Sequence, residues 1–451
     1  MNVLETLADF ACGAEATDLA PSVIEILRRH VADSAVAFIA GARTHEAKAI
    51  LRLDSGSGGD EPVAIAAAIV RHSEIDDIHL SSCTTPSAVA APTALLLAMA
   101  EPKIDHERVA SAIMVGTELI VRFGEAINGP AVLYRGIWPT CVAAPLGAAA
   151  IAARMWGLDR SRVSHALSLA LMMAAGRTGR FRASPSGRWA LFMTAVLDGL
   201  RAARAAQSGF VGDPGLLDGE WLHEAYALQA DISKFTDGLG QRSVYLQLGL
   251  KPFCTARQAL APTQALSELL DEGINPHSIE RITVRVPRAY AGMISQSADP
   301  RARSSGLASV GFQMGLAALR RESLWDVDRS EVMRDASVLA FAQKVKVAPD
   351  DKLQVEFPFR WPGSIDVDFA GCSVSCEVMV ATGDSDRPLD STAFDEKAHR
   401  ILDPLVGRED ATKLTSTALD GLSNAHSCQK LIDIFASATP ARKLYDARKV
   451  R

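Results

Sequence analysis

Several classes of protein are set aside by what this sequence does not contain. Its seven cysteines, Cys12, Cys83, Cys141, Cys254, Cys372, Cys376 and Cys428, are an odd number scattered at long spacing, so no disulfide framework is expected. A zinc site needs about four ligands at tetrahedral reach. No second Cys or His pair stands beside Cys372 and Cys376 to complete one, and no metal is expected. Phosphate-binding fingerprints are missing as well: Ser55-Gly56-Ser57-Gly58-Gly59 offers no lysine to hold a phosphate and reads as a loop. Nor is there an excess of positive charge. The formal net charge of −6 and pI near 6.0 argue against a general binder of nucleic acid or of an anionic membrane, whose footprint would be basic. The richest apolar runs, Ala88–Ala100 and Cys141–Met155, are too short for a bilayer and contain Pro92 and Pro145. Met1–Cys12 carries Glu5 and Asp9 and lacks the charged-then-apolar order of a secretion signal, so a cytoplasmic protein is expected.

What the sequence does contain is apolar material for more than one core. At 451 residues and 48% hydrophobic content, two domains are expected. Helical spacing of apolar residues marks Val3–Phe10, Pro21–Ala40, Glu61–Arg71, Pro92–Ala100, Asp105–Glu125, Pro139–Met155, Arg160–Ala175 and Ala190–Ser208. The abundant alanines of 143–153 and 166–175 leave little side-chain bulk, which predicts closely approaching helices inside a bundle. The character changes at Ile279–Pro287, where Ile282, Val284 and Val286 alternate with Thr283 and Arg285, a half-buried strand. Short strands are also predicted at Lys344–Val347, Leu353–Glu356, Ile365–Phe369 and Cys372–Val380, with a helix near Val310–Arg320. Asp395–Leu405 and Glu409–Ala436 are helical again. The fold class expected is mainly α: a large helical domain, residues 1–265 plus 401–451, and a smaller α+β lid domain, residues 266–400, with the ligand cleft between them.

The stretch richest in possible chemistry runs from Arg71 through His72, Glu74, Asp76, Asp77 and His79 to the apolar run Ala88–Ala100, which contains the helix expected from Pro92. Acids and imidazoles at the mouth of such a helix can have their proton affinities moved by burial and by the helix N-terminus. A plain N-capped helix with a solvated acidic turn has the same local pattern.

The same stretch carries a family resemblance that extends over nearly the whole chain. Ile75-Asp76-Asp77, Pro86-Ser87 and Pro92 resemble the "DFDD…HPS…P" signature of the MmgE/PrpD family, which includes 2-methylcitrate dehydratase, cis-aconitate decarboxylase and iminodisuccinate epimerase. Leu19-Ala20-Pro21 with Asp33 and Gly41 resembles its opening helix, and Gly116-Thr117-Glu118 with Arg122 its "GyE…R" helix. Gly136-Ile137-Trp138-Pro139-Thr140, leading into Gly147-Ala148-Ala149-Ala150 and Gly157-Leu158-Asp159, is similar to "GfHpT…GAA…LGLd". Gly187 and Gly209-Phe210 fall where the family has "K…G…A…GF", and Lys251-Pro252-Phe253 with Arg257 resembles "KPyp..R". The collinear order is what makes the set specific. The departures are equally informative: Thr85, Trp138 and Ala256 stand where the family or many of its members carry histidine, and Arg182 where it carries lysine. Only Lys251 keeps its type.

The resemblance implies a lyase (dehydratase or decarboxylase) or epimerase that needs no cofactor, takes a small carboxylic acid and works as a homodimer. In that reading His79 is the expected base, oriented by Asp77 or Asp76, and Lys251 in its apolar loop anchors a carboxylate or acts as acid. Asp76, Thr84, Thr85, Trp138, Arg182, Cys254 and Arg257 are the expected substrate-binding residues, the guanidinium groups offering paired donors to a carboxylate. Arg177, Arg180 and Arg188 crowd Arg182, so the sequence does not say which of them points inward. Two other readings stay open: an isomerase or biosynthetic enzyme with a rebuilt, less polar pocket, and a catalytically silent homologue.

Overall fold

The computed structural model describes residues 2–54, 59–174, 186–295, 300 and 302–439. The chain is mainly α, and among the described residues no helix is long and apolar enough to cross a membrane. Helix starts follow local chemistry. Asn2, Asp105 and Asp159 accept hydrogen bonds from the first free N–H groups of the helices Val3–Gly13, His106–Ala126 and Arg160–Met173. At the centre lies Ser87–Ala98, every residue of which is buried. It has no polar face because no side of it meets water. Around it pack Pro21–Gly41, Glu61–Ser73, His106–Ala126 and Pro139–Met155, with Arg160–Met173 and Gly187–Gln207 outside them.

The alanine-rich helices do approach closely. A Cβ added at Gly199 would lie 2.4 Å from the carbonyl oxygen of Pro145 and 2.7 Å from Ala148 Cβ. The backbones of Gly187–Gln207 and Pro139–Met155 therefore meet where only glycine fits.

The second apolar core is α+β. Strands β3 (Ile279–Pro287), β4 (Val345–Asp350), β5 (Gly363–Phe369) and β6 (Cys372–Val378) form one sheet in the order β4-β3-β5-β6; the β3/β4 pair is parallel and the others antiparallel. Ile282, Val284, Val286, Ile365 and Val367 turn inward against the helix Arg257–Asp271, while Arg281 and Arg285 pair with Asp368 and Asp366 on the outer face. Cys372 and Cys376 lie two pleats apart on edge strand β6, both as free thiols.

After the sheet the chain returns to the first core. Ser391–Val406, Arg408–Asp420 and Ala425–Ser437 pack on Pro21–Gly41 and Ser87–Ala98, and Phe435 meets Phe38 at 5.0 Å between ring centroids.

Three expected elements differ. The helix expected to begin at Pro92 begins at Ser87 and runs through that proline, because Pro92 sits in its second turn and burial on all sides holds the helix together. The segment Leu353–Glu356, expected as a strand, lies instead in and just after the short helix Asp351–Gln354, which Asp350 caps. Glu409–Ala436 is two helices parted near Gly421, not one.

The tight crossing at Gly199 yields a first prediction. Gly199→Ala should gain helix propensity, about 1 kcal/mol, yet lose more by forcing the two backbones apart, about 1–3 kcal/mol, and so lower the melting temperature. A melting temperature equal to or above that of the wild type would contradict the packing described.

Candidate active site

A short pairing of two distant segments creates the site. The helix Glu61–Ser73 ends at Glu74, whose backbone is left-handed with φ 62°, a conformation usually left to glycine. The chain then enters β1 (Asp77–His79), which pairs antiparallel with β2 (Leu248–Leu250), Asp77 opposite Leu250 and His79 opposite Leu248. One step further, the same register sets Asp76 against Lys251. Side chains alternate along a strand, so Asp76 and Lys251 share one face while Asp77 and His79 take the other. Ile75 belongs to the first apolar core and Ile78 to the second, which puts the acidic pair at the joint between them.

On the Asp76 face two acids share two cations. Arg71 donates to Asp76 Oδ1 at 2.8 Å from one arm of its guanidinium and to Glu74 Oε2 at 3.0 Å from the other. Lys251 Nζ donates to Glu74 Oε2 and to the Glu74 carbonyl, both at 3.2 Å, and stands 3.5 Å from Asp76 Oδ1. All four side chains are buried. Removing an acid from water favours its neutral form, and here the two carboxyls compete for the same positive charge. Glu74 keeps its charge: although burial opposes it, Arg71 and Lys251 hold its carboxyl far below the usual range. Asp76 is pushed up to about 7, chiefly by burial and further by the charges of Glu74 and Asp77, against the pull of Arg71 and Lys251. Its second oxygen, Oδ2, is buried and has no hydrogen-bond partner among the described residues.

Further groups surround this quartet. The Trp138 ring lies over the Arg71 guanidinium at 5.1 Å and packs edge-on against Trp189 at 5.8 Å. The Cys83 and Cys141 thiols lie within reach of the Arg71 charge, yet burial pushes both above their ordinary range and keeps them protonated. Arg188 carries a third positive charge into the neighbourhood. Burial lowers its proton affinity, the Glu74 charge opposes that fall and the Arg71 charge adds to it, and its Nε is buried without a partner among the described residues. Arg303 donates to the carbonyls of His72 at 2.8 Å and Ser73 at 2.7 Å, closing the end of the helix that delivers Glu74. Cys254 points its thiol at the Ser73 carbonyl, 3.2 Å away, and supports the same helix end.

The remaining expected residues are placed differently. His79 is not brought to Lys251. It lies on the opposite face of β1, buried, with Nδ1 3.0 Å from Ser82 Oγ and Nε2 3.2 Å from Gln247 Oε1. Desolvation lowers its proton affinity and leaves a neutral ring, so it locks the 79–84 turn. Asp77 does not orient His79 either. It accepts the Ser87 N–H at 3.3 Å and the Ser87 hydroxyl at 2.5 Å, holding the start of the central helix, and faces His30 Nδ1 at 3.4 Å. Thr84 hydrogen-bonds Ser82 Oγ at 2.7 Å and Thr85 bonds Thr140 through its N–H at 3.2 Å, tying the turn to the Pro139–Met155 helix. Arg257 is expected to clamp a substrate carboxylate but already holds an internal one: its guanidinium forks onto Asp384, with Nε 2.9 Å from Oδ1. Arg182 lies outside the described residues, as do Arg177 and Arg180.

Sequence reasoning therefore picked Lys251, Asp76 and Trp138 but passed over Arg71, Glu74 and Arg188 as named participants. The i,i+3 spacing of Arg71 and Glu74 at a helix end was the signal available for that pair. Recognising β1 would have separated Asp76 from Asp77 and His79, but a three-residue strand leaves too short an alternation to detect. Among the described residues no group of three or more His, Cys, Asp or Glu side chains could hold a metal ion.

The model of the MmgE/PrpD N-terminal domain matches residues 5–234, and that of the MmgE/PrpD C-terminal domain matches residues 253–420. No curated protein matches the chain.

The shared-cation geometry makes stability depend on pH. Folded Asp76 holds its proton to near neutrality while the unfolded side chain releases it near pH 4, so at this site folding takes up a proton and the contribution of Asp76 to stability falls as pH rises between about 4 and 7. Asp76→Asn removes that loss. Measured by urea unfolding, its stability relative to wild type should increase across this window by about 1–4 kcal/mol in total. A difference that does not change with pH would show that Asp76 ionises normally.

Proposed function

Because the chain belongs to the MmgE/PrpD family, we propose that it is an enzyme of the lyase or epimerase type that removes a proton next to the carboxylate of a small carboxylic acid and needs no cofactor. The observation that carries this reading is the geometry of the buried Asp76 carboxyl, held beside cations with one oxygen that has no hydrogen-bond partner among the described residues and pushed up to about 7 by burial. A general base is most effective when its proton affinity lies near the working pH. Asp76 takes the part of base and Lys251 that of carboxylate anchor; the proton passes from the substrate carbon to Asp76 Oδ2. The electron pair left on that carbon spreads into the carboxylate as an enolate, which Lys251 and Arg188 stabilise by charge. Expulsion of a neighbouring hydroxide as that pair closes a C=C bond makes a dehydratase, and delivery of a proton to the other face makes an epimerase; in a decarboxylase the pair comes instead from the departing carbon dioxide, and protonated Asp76 supplies the proton that ends on carbon. With Asp76 ionised, as a base must be, the three cations Arg71, Lys251 and Arg188 still outnumber the two acids Glu74 and Asp76, which suits the arrival of an anion. Of the expected lid, residues 266–400, we assign the part up to about residue 390 as the lid in this scheme, since Ser391–Val406 packs on the first core, and a homodimer as the working form.

The rebuilt-pocket alternative draws on one observation of its own. Trp138 covers Arg71, and the neutral thiols of Cys83 and Cys141 lie nearby, an apolar side wall that suits an acid with fewer charged groups than citrate.

The test combines a ligand screen with turnover. Thermal shifts with citrate-like acids and with apolar monocarboxylic acids separate the two substrate types, since a ligand raises the melting temperature by mass action. The chain is then incubated with cis-aconitate, 2-methylcitrate, iminodisuccinate and any acid found in the screen. For whichever is turned over, Asp76→Asn should lose at least about 100-fold in kcat, and kcat should fall below an inflection near pH 7 as the base protonates. His79→Ala should change kcat by less than about tenfold. Turnover that survives Asp76→Asn would end the proposal.

A further inference from the structure

A second buried polar chain adjoins β1 apart from the cation cluster. Lys397, on the returning helix Ser391–Val406, is 3% exposed and forms an ion pair with Asp33 of Pro21–Gly41. Its ammonium also donates to the carbonyl of Ile75 at 3.0 Å. That carbonyl belongs to the peptide joining Ile75 to Asp76. On the other side of Asp76, the Asp77 carboxylate is fixed by Ser87 and faced by His30, whose ring stands edge-on to Tyr245 at 6.1 Å. The residue read above as the base is thus gripped from its preceding peptide and from its following side chain, by groups that do not themselves touch it.

This grip is not what packing alone would select. Burying an ion pair costs desolvation that an apolar side chain of similar size would avoid. The pair is also incompletely satisfied, since Asp33 Oδ2 is buried without a hydrogen-bond partner among the described residues. What a buried ammonium supplies that an apolar side chain cannot is a directed donor for one chosen carbonyl, and the carbonyl chosen is the one that sets the direction of Asp76. Incompletely satisfied polar groups retained in a core are characteristic of places where geometry is kept at the expense of stability.

We propose that Lys397 is a positioning residue for Asp76: from the C-terminal helices it fixes the 75–76 peptide so that Asp76 meets Arg71 and Lys251, and the site is complete only when the end of the chain has docked. This rests on the reading of Asp76 as acid–base group, and it is tested by a measurement that needs no substrate. Infrared difference spectra over a pH titration follow protonated carboxyl groups, and the band due to Asp76 is the one missing from Asp76→Asn. In the full-length Lys397→Met protein, Asp76 is released from its alignment with two cations, its ionised form loses stabilisation, and the midpoint of its band should rise by at least about 0.5 pH unit. Lys397→Arg, which restores a donor and a charge, should bring the midpoint back towards that of the wild type. If Lys397→Met does not fold, Lys397→Gln, polar but one bond too short to reach Ile75, should show the same rise. A midpoint within about 0.2 unit of wild type in a folded Met or Gln variant would reduce Lys397 to a structural contact and overturn the inference. Turnover surviving Asp76→Asn would instead remove the reading beneath it, so the two failures are told apart.

Discussion

Two acids competing for two buried cations is the constraint on which the arrangement of the site depends. Had Arg71 and Lys251 each faced one carboxylate, both acids would be ionised and inert as bases at neutral pH. The shared geometry instead concentrates the favourable contacts on Glu74, which receives both the second arm of Arg71 and the ammonium of Lys251. Asp76 is left with contacts to one oxygen only, and burial decides its state. The split between a low and a high proton affinity follows from who receives the donors, not from any difference between the two acids in isolation.

That asymmetry has a backbone cause. Glu74 adopts a left-handed conformation at the end of its helix, which turns its side chain back towards Arg71 one turn earlier and presents its carbonyl to Lys251. A glycine there would make the turn more easily but would bring no carboxylate. Arg303 and Cys254 then fill the role of helix terminator by engaging the His72 and Ser73 carbonyls. The strained residue is held by Lys251, Cys254 and Arg303, side chains far along the chain, and so the helix that it ends does not specify it alone.

How much of this could be read from the sequence follows the same division between local and non-local information. Most helices were legible because their apolar spacing and caps are local, as with Asp105 and Asp159. The Ser87 start was hidden because the usual sign of a proline-led helix pointed to Pro92, while burial on all sides is a tertiary fact. The collinear motifs identified the family that the two matched domains show. Lys251 and Asp76 were legible as chemistry but not as partners, since their meeting is a cross-strand register between residues far apart in the chain. His79 and Asp77 drew attention for the right physical reason, ionisable groups in an apolar setting. Structural roles use such groups too, and only partners such as Gln247 and Ser87 reveal which role applies. Arg257 makes the same point, because the Asp384 that occupies it comes from beyond the sheet.

The distribution of charge across the joint also explains why the two cores are interdependent. Each supplies what the other's polar groups lack: Lys251 and Arg303 come from the segments that lead into the second core, and Arg71, Glu74 and Asp76 from the first. Separated, each half would bury or expose unpaired charges, at a cost of several kcal/mol per group when a buried partner is lost. Apolar packing alone would hold the halves together without specifying their alignment, since hydrophobic contact is non-directional. Hydrogen-bonded ions are directional, and they lie where β1 passes from one core to the other. The register of a three-residue strand pair, too short to be stable by itself, is therefore fixed by the charges it carries, and those charges are arranged by the register in turn.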